Sequence, residues 1–261
     1  MYKSLTDLAN HHASDKGTSG PSKTWPVHNY TDVYDAYLHP LRNNSLTMLE
    51  IGLGVTGENW HSAIVHGRNS GGASLKMWYD YFPNATIFGL DINPCPYLDN
   101  DRIKTFVGRQ GERNELEGFS KANGNPRFDL IFDDGSHRPD DQQVSLDYFF
   151  KLLKPGGIYF IEDMMANGKG DEGSGRWHCD KVINTRAILK SFRNAGSFPQ
   201  PNLFSDPDYL AKAIESICFH VPRVSSTFTN GWSFWRRGDP EITYQPESER
   251  LCMIRKRADV E

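Results

Sequence analysis

Cysteine is scarce in this chain: four in 261 residues (Cys95, Cys179, Cys218, Cys252), scattered, with no Cys-x-x-Cys pair. That spacing argues against a disulfide framework and against a zinc site built from cysteines. The expectation is reduced, mostly buried thiols in a cytoplasmic protein. No stretch approaches the roughly 18 consecutive apolar residues of a membrane helix. The first seven residues, Met-Tyr-Lys-Ser-Leu-Thr-Asp, lack the apolar core of a secretory signal. Long basic runs are missing too, and 29 Lys and Arg against 33 Asp and Glu leave a formal net charge of −4. Neither nucleic acid nor a membrane is therefore an expected partner. Internal repeats and low-complexity tracts are also absent. The remainder, 38% hydrophobic and 24% charged, is the composition of a folded globular protein.

Strand and helix patterns alternate along the chain. Residues 15–29, rich in Gly, Ser, Pro and Lys, read as a loop. Tyr34, Tyr37, Leu38 and Leu41 then recur at helical spacing, with Thr31 as the expected N-cap. Apolar runs at Thr47–Ile51, Thr86–Asp91, Ile103–Val107, Phe128–Asp133 and Ile158–Ile161 read as five strands. Between them, Leu75, Trp78, Tyr79 and Phe82 share one helix face, and Leu146, Phe149, Phe150 and Leu153 another. Pro155-Gly156-Gly157 reads as the stop of that second helix. Further on, residues 164–180 read as a loop or lid, Asn184–Ala195 and Asp206–Ser216 as helices, and Ile217–His220 and Leu251–Ile254 as strands. An aromatic insertion at about 221–247, with Phe228, Trp232, Phe234 and Trp235, reads as a hairpin packed on the core, with a substrate platform as the alternative. Alternating strands and helices imply right-handed crossovers and a parallel sheet covered on both faces. The expected fold class is α/β: a Rossmann-like, doubly wound, mostly parallel seven-stranded sheet with helices on both faces. Residues 1–45 would form an N-terminal helical cap and 46–261 the main domain.

The first strand runs into Glu50-Ile-Gly52-Leu-Gly54-Val-Thr-Gly57, a literal Gly-x-Gly-x-x-Gly. In a dinucleotide enzyme such glycines let a pyrophosphate approach the backbone. Here the acidic Glu50 beside the turn favours a cation over a pyrophosphate. Asp91, which ends the second strand, lies well beyond the roughly 20-residue spacing of a nicotinamide-binding fingerprint. An acid there still suits the two ribose hydroxyls of an adenosine. S-adenosylmethionine (SAM) has such a ribose, together with a sulfonium and an ammonium.

The fourth strand ends in Asp133-Asp134-Gly-Ser-His137 and the fifth in Glu162-Asp163. Neighbouring parallel strands lie about 4.8 Å apart, and ligands bind at their carboxyl ends. If these strands are neighbours, Asp134, Glu162 and Asp163 meet there. Carboxylates so close raise each other's pKa, and a divalent cation relieves the repulsion. All-oxygen ligands suit Mg2+, Mn2+ or Ca2+ better than Zn2+. His137, just before a helix opened by Pro139, is the expected general base. The other eight histidines are read as structural, and the alternative for the carboxylates is a role as caps and as salt-bridge partners of Lys or Arg.

These motifs, with Asp15-Lys-Gly17, Gly71-Gly-Ala-Ser-Leu75, Gly89-Leu-Asp91, Leu153-Lys-Pro-Gly-Gly157 and Ile161-Glu-Asp163, resemble the metal-dependent sugar O-methyltransferases of antibiotic biosynthesis, the mycinamicin VI 2''-O-methyltransferase type. The resemblance covers about residues 11–165. It implies a class I SAM-dependent methyltransferase domain and methyl transfer to a hydroxyl of a sugar or polyol-bearing natural product. By that resemblance Asp134, Glu162 and Asp163 hold a divalent cation, Mg2+ by preference, and His137 is the base. Glu50, Gly52, Gly54, Ser74, Asp91, Gly108, Gln110 and Asp133 would line the SAM site. Asp15 and Lys16 would belong to an N-terminal segment closing over it. The acceptor would be a small molecule and the enzyme a homo-oligomer. Three other readings stay open: a metal-independent methyltransferase, a catalytically silent SAM-binding partner protein, and a nicotinamide-dependent oxidoreductase.

Overall fold

The computed structural model describes residues 3–19, 27–54, 71–164, 179, 181–222 and 249–261. Most of the lid reading at 164–180 and nearly all of the aromatic insertion fall outside these residues. The chain opens with two helices, α1 (Leu5–His11) and α2 (Thr31–Leu38). It then alternates through β1 (Thr47–Ile51), α3 (Ala73–Tyr81), β2 (Thr86–Asp91), β3 (Ile103–Val107), α4 (Arg113–Ala122), β4 (Phe128–Asp133), α5 (Pro139–Leu152) and β5 (Leu153–Ile161). Two more helices, α6 (Thr185–Ala195) and α7 (Pro207–Ala213), precede β6 (Ile214–His220) and β7 (Leu251–Lys256). The sheet has seven strands in the order β3-β2-β1-β4-β5-β7-β6. Strands β1 to β5 pair in parallel, and β7 is antiparallel to both β5 and β6. The order reverses between β1 and β4, which opens a crevice at their carboxyl ends.

Each face of the sheet has its own core. Met48, Leu130, Phe132, Ile158 and Phe160 pack against α1, α2 and α3 through Leu8, Tyr34 and Trp78. Leu49, Ile51, Ile131, Tyr159 and Ile161 pack the other way, against Leu116, Phe149 and Ile188 of α4, α5 and α6. This is the period-two alternation of a strand buried on both sides. The N-terminal helices share the first core: Tyr34 lies with its ring centroid 4.9 to 5.6 Å from those of Trp78, Phe132 and Phe160.

Several boundaries differ from the sequence reading. Tyr30, not Thr31, is the N-cap of α2, and the helix ends at Leu38 before a 3-10 turn at His39–Leu41. Pro40, at the first turn of that 3-10 helix, lacks the N–H that α-helix propagation needs. Pro155-Gly156-Gly157 does not stop α5 but lies inside β5, which begins at Leu153. Lys154 and its neighbours extend beside Phe128, with a register shift between Phe128 and Leu130 absorbing the irregularity. The helix expected over Asp206–Ser216 stops at Ala213, because β6 claims Ile214 to Ser216 for pairing with β7.

Candidate active site

Alternation along three strands gathers the carboxylates. Met48 on β1, Phe132 on β4 and Phe160 on β5 face the N-terminal helices, and so do Glu50, Asp134 and Glu162 two residues further on. The backbone holds the three ends level: Asp134 N–H donates to Ile51 O at 2.8 Å and Glu162 N–H to Asp133 O at 2.9 Å. Glu50, Asp134 and Glu162 offer oxygens within 4.8 Å of one another, and Asp134, His137 and Asp163 form a second group of the same span. Asp134 belongs to both. The expected trio Asp134, Glu162 and Asp163 thus borders one pocket but divides over two groups.

Lys16 stands in the first group. Its ammonium donates to Asp134 Oδ2 at 2.6 Å and Glu162 Oε2 at 2.8 Å, and lies 3.7 Å from Glu50 Oε1. Burial opposes the charge, but Asp134, Glu162 and Glu50 more than offset it and hold the lysine well above its ordinary pKa. Glu162 is pushed well up by burial and by Asp134, against the pull of Lys16 and of Tyr34, whose hydroxyl donates to Oε1 at 2.6 Å. Glu50 is fully buried, and burial pushes its carboxyl up to about 7 despite Lys16. Ser74 and Trp78 lie near it, yet neither closes a well-formed hydrogen bond to its oxygens.

The second group is ringed by aromatic and imidazole side chains. Tyr30 O–H donates a short bond to Asp163 Oδ1, and His28 Nδ1 lies 3.2 Å from the same oxygen. His137 Nε2 is 3.7 Å from Asp163 Oδ2. Burial opposes ionisation of Asp163, but His28, His137 and Tyr30 outweigh it and bring the carboxyl to about 2. Asn29, His137 and Asp163 all adopt positive φ, at 52°, 59° and 51°. Such strain persists only where the surroundings enforce it, and it gathers at functional sites.

Asp133 turns to the opposite face. Its carboxylate accepts bonds from Gln110 Nε2 at 2.9 Å, Ser145 Oγ at 2.7 Å and Tyr159 O–H at 3.0 Å. Gln110 Oε1 in turn accepts from Ser136 N–H at 2.8 Å. Together these two residues brace the 134–137 turn from behind.

The glycine turn forms a separate cradle. Gly52 and Gly54 have φ of 82° and 64°; a Cβ on Gly52 would collide with the Asp134 carbonyl, whereas one on Gly54 would meet nothing within 4 Å among the described residues. Asp91 accepts from Leu53 N–H and Asn93 N–H, both at 2.8 Å, and its backbone carbonyl holds Gly108 N–H at 2.9 Å. These bonds cap the strand end and fix the Asp91 carboxylate beside the glycine turn. Near the end of β2, Ile92 and Val107 are large apolar side chains that stand 62 and 61% exposed.

From the sequence His28 reads as structural and Tyr34 as part of an apolar stripe, and no local pattern marks Tyr30. The hydroxyls of both tyrosines and the imidazole of His28 reach the carboxylates. Their signal was indirect: polar aromatics clustered after the Asp15-Lys16-Gly17 turn.

The strand order, the glycine turn after β1 and the acid ending β2 define the Rossmann-like fold of class I methyltransferases. No family model matches the chain. Its curated relatives are sugar O-methyltransferases of antibiotic biosynthesis. The chain is 37% identical over 161 residues to 8-demethyl-8-(2-methoxy-alpha-L-rhamnosyl)-tetracenomycin-C 3'-O-methyltransferase of Streptomyces olivaceus, covering 61% of this chain and 36% of that protein. It is 36% identical over 139 residues to mycinamicin VI 2''-O-methyltransferase of Micromonospora griseorubida, covering 53% and 32%. Against L-olivosyl-oleandolide 3-O-methyltransferase of Streptomyces antibioticus it is 30% identical over 205 residues, covering 77% and 50%. The chain therefore matches between 32% and 50% of the length of these relatives. Among solved structures, the MycE methyltransferase of the mycinamycin biosynthetic pathway, in complex with Mg, SAH and mycinamycin VI, superposes with a TM-score of 0.67 at 25% identity, covering 98% of this chain and 56% of that one.

Proposed function

We propose that this chain is a SAM-dependent O-methyltransferase acting on a hydroxyl of a sugar or polyol-bearing natural product, assisted by a divalent cation. The observation that carries the reading is the meeting of Glu50, Asp134, Glu162 and Asp163 with His137 at the carboxyl ends of β1, β4 and β5. The residues fit both a divalent cation and SAM. An all-oxygen donor set with one imidazole nearby suits Mg2+. The positive-φ turn at Gly52 and Gly54, the poorly bonded oxygens of buried Glu50 and the exposed Ile92 and Val107 at the end of β2 suit a cationic nucleoside.

Asp134, Glu162 and Asp163 would hold the cation, and Glu50, Gly52, Gly54, Ser74, Asp91 and Gly108 would line the cofactor site. Gln110 and Asp133 would support the turn between them. When bound, SAM supplies the methyl group and the cation lowers the pKa of a hydroxyl it contacts. His137 accepts the hydroxyl proton at Nε2, since its Nδ1 is buried, and Asp163 stabilises the imidazolium that results. Tyr30 and His28 keep Asp163 ionised for that task.

The test is calorimetric titration of SAM and Mg2+ into chelator-treated protein, followed by mass-spectrometric assay on a panel of rhamnosyl and related glycosides. The expected result is SAM binding, chelator-sensitive turnover restored by Mg2+, and a loss of roughly 10²- to 10⁴-fold in kcat for His137→Ala with SAM affinity unchanged. Failure of SAM to bind would refute the reading. A metal-independent methyltransferase is the second reading, favoured by Lys16 already neutralising Asp134 and Glu162; full activity in chelator would select it.

A further inference from the structure

The Lys16 ammonium sits between Asp134 and Glu162, two of the residues that would hold the cation. The nitrogen lies 2.6 Å from Asp134 Oδ2 and 2.8 Å from Glu162 Oε2, and a magnesium ion would need about 2.1 Å to the same kind of oxygen. An ammonium and a divalent cation cannot share that position. The lysine is not a chance visitor. It is 1% exposed, and its main chain is clasped on both sides: Thr31 N–H donates to Lys16 O at 3.1 Å, and His28 N–H to Asp15 O at 2.7 Å. The loop that carries the ammonium is thereby tied to the start of α2, whose Tyr34 bonds the same Glu162. An ammonium so buried needs partners, since burying one unpaired is costly. Glu50 offers another, 3.7 Å away. The four-carbon stem of a lysine is flexible enough to move that distance while its backbone stays fixed.

We propose that Lys16 is a built-in competitor for the divalent cation: a positioning residue whose ammonium keeps the Asp134–Glu162 pair assembled without metal and must withdraw when metal binds. The inference rests on the reading of this pocket as a divalent-cation site. The lysine thus sets metal affinity from within the chain. It also joins the cation to the N-terminal segment, because displacing the ammonium loosens one of that segment's anchors.

The test compares wild type with Lys16→Met, Lys16→Gln and Lys16→Arg, using Mg2+ titration calorimetry and thermal unfolding with and without Mg2+. Without the competing charge, Lys16→Met and Lys16→Gln are expected to bind Mg2+ roughly tenfold or more tightly than wild type. Their melting temperatures should also rise more on Mg2+ addition. Lys16→Arg, which keeps the charge, should bind no more tightly than wild type. If the two neutral variants fold only when Mg2+ is present, the proposal stands, because the metal then replaces the lysine. Equal or weaker Mg2+ binding in a folded neutral variant overturns it, as does failure of both to fold at any Mg2+ concentration. If wild type and every variant alike ignore Mg2+, the divalent-cation reading itself is what fails.

Discussion

Glu50 shows at the scale of one residue how the site trades stability for chemistry. Its folded carboxyl titrates at about 7 against an ordinary 4.5, chiefly because it is buried. Between those values the folded protein holds a proton that the unfolded chain has released, so stability falls as pH rises from 4.5 to 7 and the loss is complete above 7. Glu50→Gln keeps the shape and removes the charge. It is expected to melt higher than wild type at pH 8, by a margin corresponding to about 1–3 kcal/mol, with little difference at pH 4.5. It is also expected to bind SAM more weakly, because a cation loses its partner. Calorimetric melting at the two pH values, without ligand, decides the matter; equal melting at pH 8 would contradict it. The acidic character of this position was legible in the sequence, since Glu50 sits beside Gly52. Its near-neutral state was not, because that depends on the helices that bury it. Lys16 shows the same limit more sharply. Its place beside Asp134 spans 118 positions of sequence, and no local pattern encodes such a contact.

Among the elements, the five parallel strands were legible because short apolar runs of four to six residues, ended by glycine or acidic residues, leave little choice, although β5 begins at Leu153, ahead of the run Ile158–Ile161. The ends of helices were less so: tertiary pairing decided where α7 gives way to β6, and local spacing did not. The most consequential element is α2. Read from spacing it is an amphipathic helix packing one stripe, but Tyr34 also donates to Glu162 Oε1 at 2.6 Å from a fully buried position. Tyr34→Phe preserves the ring contacts with Trp78, Phe132 and Phe160 and deletes only that bond. Withdrawing a donor from a buried carboxylate should cost about 1–3 kcal/mol, measured as a lower urea midpoint with unchanged slope. An unchanged midpoint would mean that water or Lys16 takes over the bond and that α2 is held by packing alone.

For the whole molecule, residues 1–45 read in the sequence as an N-terminal helical cap, and the described part of that segment buries side chains against the sheet. Leu5, Leu8, Tyr30, Tyr34 and Leu38 are each at most 3% exposed and belong to the same cluster as Met48, Phe132 and Phe160 of the sheet. At roughly 1.5–3 kcal/mol for each fully buried large side chain, their burial contributes on the order of 10 kcal/mol, as much as the net stability of a typical domain. The same segment brings Lys16, whose removal leaves Asp134 and Glu162 facing each other without a cation. A chain beginning at residue 46 should therefore lack a cooperative unfolding transition, aggregate through the uncovered face of the sheet and fail to bind SAM. The intact chain should lose its near-UV and far-UV circular dichroism together in a single urea transition. A truncated chain that melts sharply and still binds SAM would show that residues 1–45 are a detachable lid. The aromatic packing around Tyr34 would then be dispensable to the fold.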